Sequence, residues 1–184
     1  MTGTNACGKS SIVQHFLRSD INTWEIPFDR FKSVVTVCPK YEMMVVGKYS
    51  KETTAGGCDT IAKKAYTQAI LDSIWDMEGD ILMEGYLIGT RVWINDIINI
   101  NKGRRQLFFI HPNTTLETCF KRIEGRSGKK RHELTNNGNN VVFKKKSVEN
   151  LIKWIQEESP QFTIIEVDTE NKTSKEVCEH ILTI

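Results

Sequence analysis

The 184-residue chain contains no run of about 18 apolar residues, which excludes a membrane-spanning helix. Its start also lacks the apolar stretch of a secretory signal peptide. The five cysteines (Cys7, Cys38, Cys58, Cys119, Cys178) are odd in number, widely scattered and free of any CxxC pair. That distribution suggests neither a zinc site nor a disulfide framework. Internal repeats and low-complexity tracts are absent too. The expectation is a cytoplasmic protein with no membrane partner, and the sequence carries no signal of oligomeric state.

What is present suits one domain over residues 1–184, with 39% apolar residues and 26% charged. At this size about 70% of the unfolded surface can be buried, so no metal or disulfide staple is required. The net charge of +2 conceals an asymmetry. Residues 121–146 carry nine Lys/Arg against Glu124 and Glu133, a local +7 that leaves −5 for the rest. Such a block points to an anionic partner, phosphate groups or nucleic acid, or else forms a solvated helix face and loop.

Hydrophobic periodicity predicts helices over Lys9–Ser19, Thr60–Met77, Val92–Ile100, Thr115–Gly125, Ser147–Glu158 and Lys175–Leu182. Strands are predicted over Ser33–Cys38, Tyr41–Gly47, Asp80–Glu84, Gln106–Ile110 and Phe162–Val167. Ser147 is the expected cap of the fifth helix, and His111-Pro112 the expected end of the fourth strand. Strands alternating with helices imply an α/β fold with a mostly parallel sheet covered by helices on both faces.

The chain opens on Gly3-Thr4-Asn5-Ala6-Cys7-Gly8-Lys9-Ser10, which fits G-x-x-x-x-G-K-[ST] at every fixed position. Glycines let successive N–H groups turn inward toward a phosphate, and the following helix adds unpaired N–H donors and a partial positive charge. Lys9 is expected to reach the β/γ-phosphates and Ser10 to ligate Mg²⁺, with Ser11 completing the nucleotide-binding set. A glycine-rich terminus that matches by coincidence is the competing reading. A phosphate loop normally follows a buried strand, and only Met1 and Thr2 precede Gly3. The first strand is therefore expected to be truncated, through a late gene start or because it lies outside this chain.

Asn101-Lys102-Gly103-Arg104 lacks the Asp of the guanine-reading element of GTPases. Asp80-Ile81-Leu82-Met83-Glu84-Gly85 ends on acid-then-glycine, unlike the Asp-Glu ending of motor-type ATPases. Arg122 and Arg126 lead into a basic, glycine-containing loop at Ser127–Arg131. In this order the chain resembles P-loop kinases of the nucleoside/nucleotide kinase group. A further stretch, Gly47-Lys48-Tyr49 followed by Gly56-Gly57-Cys58-Asp59-Thr60-Ile61, is similar to phage-type P-loop kinases. Some of those phosphorylate the hydroxymethyl group of a modified pyrimidine within DNA.

The resemblance implies a P-loop NTPase fold with a basic lid at about 121–146, and an ATP- and Mg²⁺-dependent transfer of the γ-phosphate to a hydroxyl. The acceptor would be a nucleoside, a nucleotide, or DNA held by the 121–146 segment. Asn136–Asn140 suggests a mobile loop within that lid. Arg122 and Arg126 would neutralise the transferring group, because guanidinium is always charged and binds phosphate oxygens in pairs. Glu84, at the carboxyl end of a buried strand, would orient a Mg²⁺-bound water or accept the acceptor proton, or else form a structural salt bridge. Asp59 would contact the acceptor hydroxyl or cap the helix starting at Thr60. Tyr49 would stack on a base or pack. Arg91 would hold an acceptor phosphate or be an exposed helix-start arginine. Arg104 and Arg105 read as surface charge, and His111 as a turn residue. Cys7 sits near a helix N-terminus, a setting that lowers thiol pKa, and reads as an oxidisable thiol without a catalytic role. The rival classes are an NTP-binding module without transfer activity and a nucleic-acid-binding protein with a vestigial phosphate loop.

Overall fold

The computed structural model of the protein describes residues 1–49 and 56–184. The chain divides into two compact units, residues 10–104 and residues 1–9 with 105–184. The helix α1 (Lys9–Ser19) crosses that division in sequence, between Lys9 and Ser10.

In the unit of residues 10–104, four strands form one sheet in the order β1 (Trp24–Phe28), β2 (Ser33–Cys38), β3 (Met43–Val46), β4 (Asp80–Met83). The first two pairings are antiparallel, Phe28 opposite Ser33 and Cys38 opposite Met43. Only β3 and β4 run parallel, Met43 opposite Asp80 and Val46 opposite Met83. The expectation of a mostly parallel sheet is thus corrected for this unit, and the reason is connection length. Asp29–Phe31 and Pro39–Tyr41 are single 3-10 turns closed by Lys32 and Glu42 in the left-handed conformation. A parallel connection needs a dozen or more residues, so links this short force the strands to reverse. The longer path from β3 to β4 carries α2 (Lys64–Ile74), and there the strands are parallel.

The sheet's interior follows from composition. Every residue of β3 is buried, as expected for a strand covered on both faces. The core joins Val35, Met44, Val46, Ile70, Leu71, Ile74, Trp75, Met83 and Trp93, the last from α3 (Arg91–Asn101). Helix α2 begins four residues later than its pattern suggests, because Cys58–Thr60 forms a separate 3-10 turn. At the far end of α3, Arg104 closes the helix by donating to the Ile100 and Asn101 carbonyls and pairs with Asp76, in keeping with a surface role.

In the other unit, β5 (Leu107–Asn113) and β6 (Phe162–Asp168) pair in parallel, Leu107 opposite Phe162 and Asn113 opposite Asp168. Between them lie α4 (Leu116–Ser127) and α5 (Asn139–Glu158), and α6 (Ser174–Ile181) follows β6. Strand β5 runs through His111-Pro112 rather than ending there. The N–H of Thr2 donates to the Ile110 carbonyl at 3.1 Å, so the residues before the glycine-rich loop are fastened to β5. Helix α5 begins at Asn139, eight residues before Ser147, which is therefore an interior residue and no cap. Val141, Val148, Leu151, Ile152 and Ile155 form its buried stripe. The anticipated mobile loop at Asn136–Asn140 is instead the 3-10 turn Thr135–Gly138 leading into that helix.

All five cysteines are free and buried. No helix among the described residues is long and apolar enough to cross a membrane.

His111 is buried within β5, opposite Glu166, and its Nδ1 finds no hydrogen-bond partner. Burial holds the imidazole below its ordinary value of 6.5, against the pull of Glu166. The unfolded chain takes up this proton near pH 6.5 while the folded chain refuses it, so acidification favours unfolding. Stability is expected to be complete above that pH and to fall below it. Urea unfolding of the wild type and of His111→Asn between pH 5 and 8 checks this: the variant's midpoint should change less with pH.

Candidate active site

The glycine-rich loop, in the unit of residues 1–9 and 105–184, is held from all sides. Ala6 and Gly8 have φ of 61° and 99°, and such left-handed residues turn neighbouring N–H groups to a common side. The Cys7 carbonyl accepts from the hydroxyls of Thr169 (2.7 Å) and Thr114 (3.2 Å). Thr4 donates to the Val141 carbonyl of α5 at 2.7 Å. Lys144 donates to Asn5 Oδ1 at 3.1 Å, and Lys145 to the Thr114 carbonyl at 2.9 Å. Arg122 reaches from α4 to the carbonyls of Ala6 (3.3 Å) and Thr169.

Lys9 is 9% exposed, and its Nζ donates to the carbonyls of Gly3 (3.1 Å) and Thr4 (3.0 Å). The ammonium therefore sits inside the curl of the glycine-rich loop. Cys7 is 1% exposed and packs with Cys119 and Val141, with Leu116, Phe120 and Ile123 alongside. Burial pushes the Cys119 thiol up to about 11. The expected oxidisable thiol at Cys7 is thus enclosed rather than presented to solvent. Asn5 and Ser11 are exposed.

The unit of residues 10–104 assembles a second cluster around Glu84, the residue after β4. Glu84 is 2% exposed. One carboxylate oxygen, Oε2, accepts from Tyr49 Oη at 3.2 Å and from Ser10 Oγ at 3.3 Å. Its backbone carbonyl accepts from Cys58 N–H at 2.7 Å. Burial first, and then the facing Glu84 charge, hold the Tyr49 phenol well above its ordinary value. Tyr49 is therefore a neutral donor to the carboxylate at any physiological pH.

Gly57 makes this cluster possible. Its φ is 70°, and a Cβ there would lie 2.3 Å from the Glu84 carbonyl, 2.6 Å from Tyr49 Oη and 2.8 Å from Glu84 Oε2. The Gly56-Gly57 pair serves close approach: Gly57 N–H donates to the Lys48 carbonyl at 3.1 Å.

The sequence-predicted residues thus fall into groups. Within the unit of residues 10–104, Ser10, Tyr49 and Glu84 meet. Asp59 is near them in the chain but acts elsewhere: its two oxygens accept from the N–H groups of Tyr86 (2.7 Å) and Leu87 (2.9 Å). The helix-cap reading of Asp59 is corrected accordingly, since α2 starts only at Lys64. Arg91 is the exposed first residue of α3. In the other unit, Arg122 spends its guanidinium on backbone carbonyls of the loop, while Arg126 is exposed one turn further along α4 and donates to the Arg122 carbonyl. Sequence reasoning missed Thr114 and Thr169, which have no local motif and reach the loop only through folding, and it read Lys144 only as part of the basic segment.

A family model described as 5-hmdU DNA kinase matches residues 1–178, and the chain belongs to that family. It is 28% identical over 130 residues to 5-hmdU DNA kinase 1 of Salmonella phage ViI, covering 68% of this chain and 57% of the relative. It is 26% identical over 133 residues to 5-hmdU DNA kinase of Bacillus phage SP10, covering 70% of this chain and 20% of the relative. The chain thus spans little more than half of one relative and a fifth of the other. No solved structure matches it.

Gly57→Ala should lower stability by more than about 2 kcal/mol, because left-handed strain adds to overlap with backbone that cannot yield. Tyr49→Phe removes one hydrogen bond to a charged group and should cost about 1.5–3 kcal/mol or less. Urea midpoints of the two variants against wild type check both values.

Proposed function

We propose that the chain transfers the γ-phosphate of ATP to the hydroxymethyl oxygen of 5-hydroxymethyluracil in DNA. The observation that carries the proposal is the pair of hydroxyls, Ser10 and Tyr49, converging on one oxygen of the buried Glu84 carboxylate. Ser10 is the last residue of the phosphate-loop motif, so the serine assigned to the metal is in contact with the buried carboxylate. Family membership supplies the acceptor class.

Each residue then has a chemical task. The loop amides and Lys9 hold the donor phosphates, Lys9 exchanging the Gly3 and Thr4 carbonyls for phosphate oxygens. The fit is supported by the left-handed Ala6 and Gly8 and by the ammonium already lodged in the loop's curl. Ser10 and, through water, Glu84 offer the hard oxygen donors that Mg²⁺ prefers. The metal, when bound, spreads the charge that builds on the phosphate oxygens.

Glu84 accepts the hydroxymethyl proton as the new oxygen–phosphorus bond forms. The bond from phosphorus to the β–γ bridging oxygen breaks, and ADP leaves with its electron pair. Tyr49 positions Glu84 by donating to it. Arg122 supports the loop from below, and the exposed Arg126 is left to meet phosphate. DNA would be gathered electrostatically by exposed Lys129, Lys130 and Arg131. Lys144 and Lys145 are already engaged with Asn5 and Thr114, so the basic segment 121–146 divides into a supporting part and a DNA-contacting part. We place residues 1–184 in one kinase-like domain.

The test is γ-labelled ATP with Mg²⁺ and a panel of hydroxymethyluracil DNA, thymine DNA, the free hydroxymethyl nucleoside and mononucleotides. Label is expected on hydroxymethyluracil DNA alone. Lys9→Ala and Glu84→Gln should each lower the rate by at least about a hundredfold, the scale of a lost acid–base or charge-stabilising group. Label on free nucleosides, or on nothing, overturns the proposal.

Salt supplies a separate prediction. Replacing both Lys129 and Lys130 by Ala should reduce the slope of log binding constant against log salt by about 2, measured by fluorescence anisotropy.

A further inference from the structure

Three residues beyond Glu84, the chain presents an apolar side chain to water on a rigid mount. Leu87 is 54% exposed, and Val92 on the first turn of α3 is 60% exposed. The turn that carries Leu87 is fixed at both ends. Asp59 grips the N–H groups of Tyr86 and Leu87, and Gly89 N–H donates to the Tyr86 carbonyl at 3.0 Å. Ile88, the next residue, is 7% exposed and joins the core. Thr90 then caps α3, whose Trp93 is buried in the same core. Gly85 is required beneath the grip, since a Cβ there would lie 2.6 Å from Asp59 Oδ1. From 85 to 95 the sole charged residue is Arg91, a cation.

Chain length alone keeps the Leu87 and Glu84 Cα atoms within about 11 Å of each other. A hydroxymethyl group on a paired, stacked base in a duplex must be brought to a carboxylate that is itself buried. Enzymes acting on a base solve this by extruding it, and apolar wedges that enter the stack pay for part of the unstacking.

We propose that Leu87 is such a wedge: it enters the base stack of duplex DNA beside the target nucleotide, with Arg91 meeting the adjacent phosphate. The inference rests on the kinase reading above and deepens it by naming duplex DNA, with an extruded base, as the substrate form. Asp59 is a positioning residue in this scheme, because its two hydrogen bonds set the height and direction of the wedge. Rigid mounting matters here, since a side chain that had to be ordered at the moment of insertion would lose part of its binding energy to entropy.

The test uses a duplex with one hydroxymethyluracil flanked by 2-aminopurine, and the same strand unpaired. Wild type, Leu87→Ala and the conservative Leu87→Met are compared for phosphorylation rate and for the fluorescence rise of 2-aminopurine on binding. Leu87→Ala should slow labelling of the duplex by about tenfold or more while leaving the single strand within about twofold. It should also abolish the fluorescence rise, and Leu87→Met should restore both. Equal slowing on both DNA forms, or a fluorescence rise that ignores Leu87, overturns the wedge. If wild type labels no DNA yet the fluorescence rise depends on Leu87, the transfer reading fails and the wedge stands.

Discussion

A carboxylate removed from water must be met by hydrogen-bond donors, and Glu84 imposes that demand on everything near it. Burying a charge without partners costs several kcal/mol, so Tyr49 and Ser10 are drawn to one of its oxygens. The approach of Gly57 beneath it is a consequence: only a residue without Cβ lets the chain pass at the observed spacing. Cys58 N–H then ties the same strand end to the 3-10 turn that carries Asp59. The turn in its own right holds the amides beyond Glu84, so one buried charge organises the chain on either side of it.

The glycine-rich loop obeys a different constraint. Its carbonyls are largely withdrawn from water, and each needs a donor. Thr114, Thr169 and Arg122 supply them for Cys7 and Ala6, and Lys9 satisfies those of Gly3 and Thr4. A loop held in this way has little shape left to acquire, so the anion binding proposed for it would carry a low entropic cost.

Local pattern carried much of this. The apolar spacing of Lys9–Ser19 and the β-branched run Ser33–Cys38 give those elements their observed ends. The position of Glu84 was legible, because a short apolar run ending on an acid places that acid at the end of a buried strand. Other elements were hidden for physical reasons. Trp24–Phe28 alternates weakly and contains Pro27, so the first strand of the sheet carries little strand signal. The start of α5 lies under Asn-rich sequence that favours turns, and only Val141, seven residues before Val148, betrays the buried stripe. The sheet's direction was written in the two short connections, which leave no room for crossovers. Arg122 and Lys144 look like lid charges because sequence shows charge and not destination. Asp59 looks like a cap because the amides it holds lie 27 and 28 positions away.

Pro27 has a consequence for the molecule's behaviour in concentrated solution. Strand β1 stands at the end of its sheet among the described residues, with Trp24 half exposed beside Glu25. A bare strand of that kind is an invitation for a second copy to add its own strand and begin an ordered aggregate. The proline ring supplies no N–H to such a ladder, and the neighbouring glutamate would set like charge against like in many of its registers. One imino acid in a five-residue strand thus interrupts edge-to-edge growth of the sheet, while leaving its pairing with β2 intact.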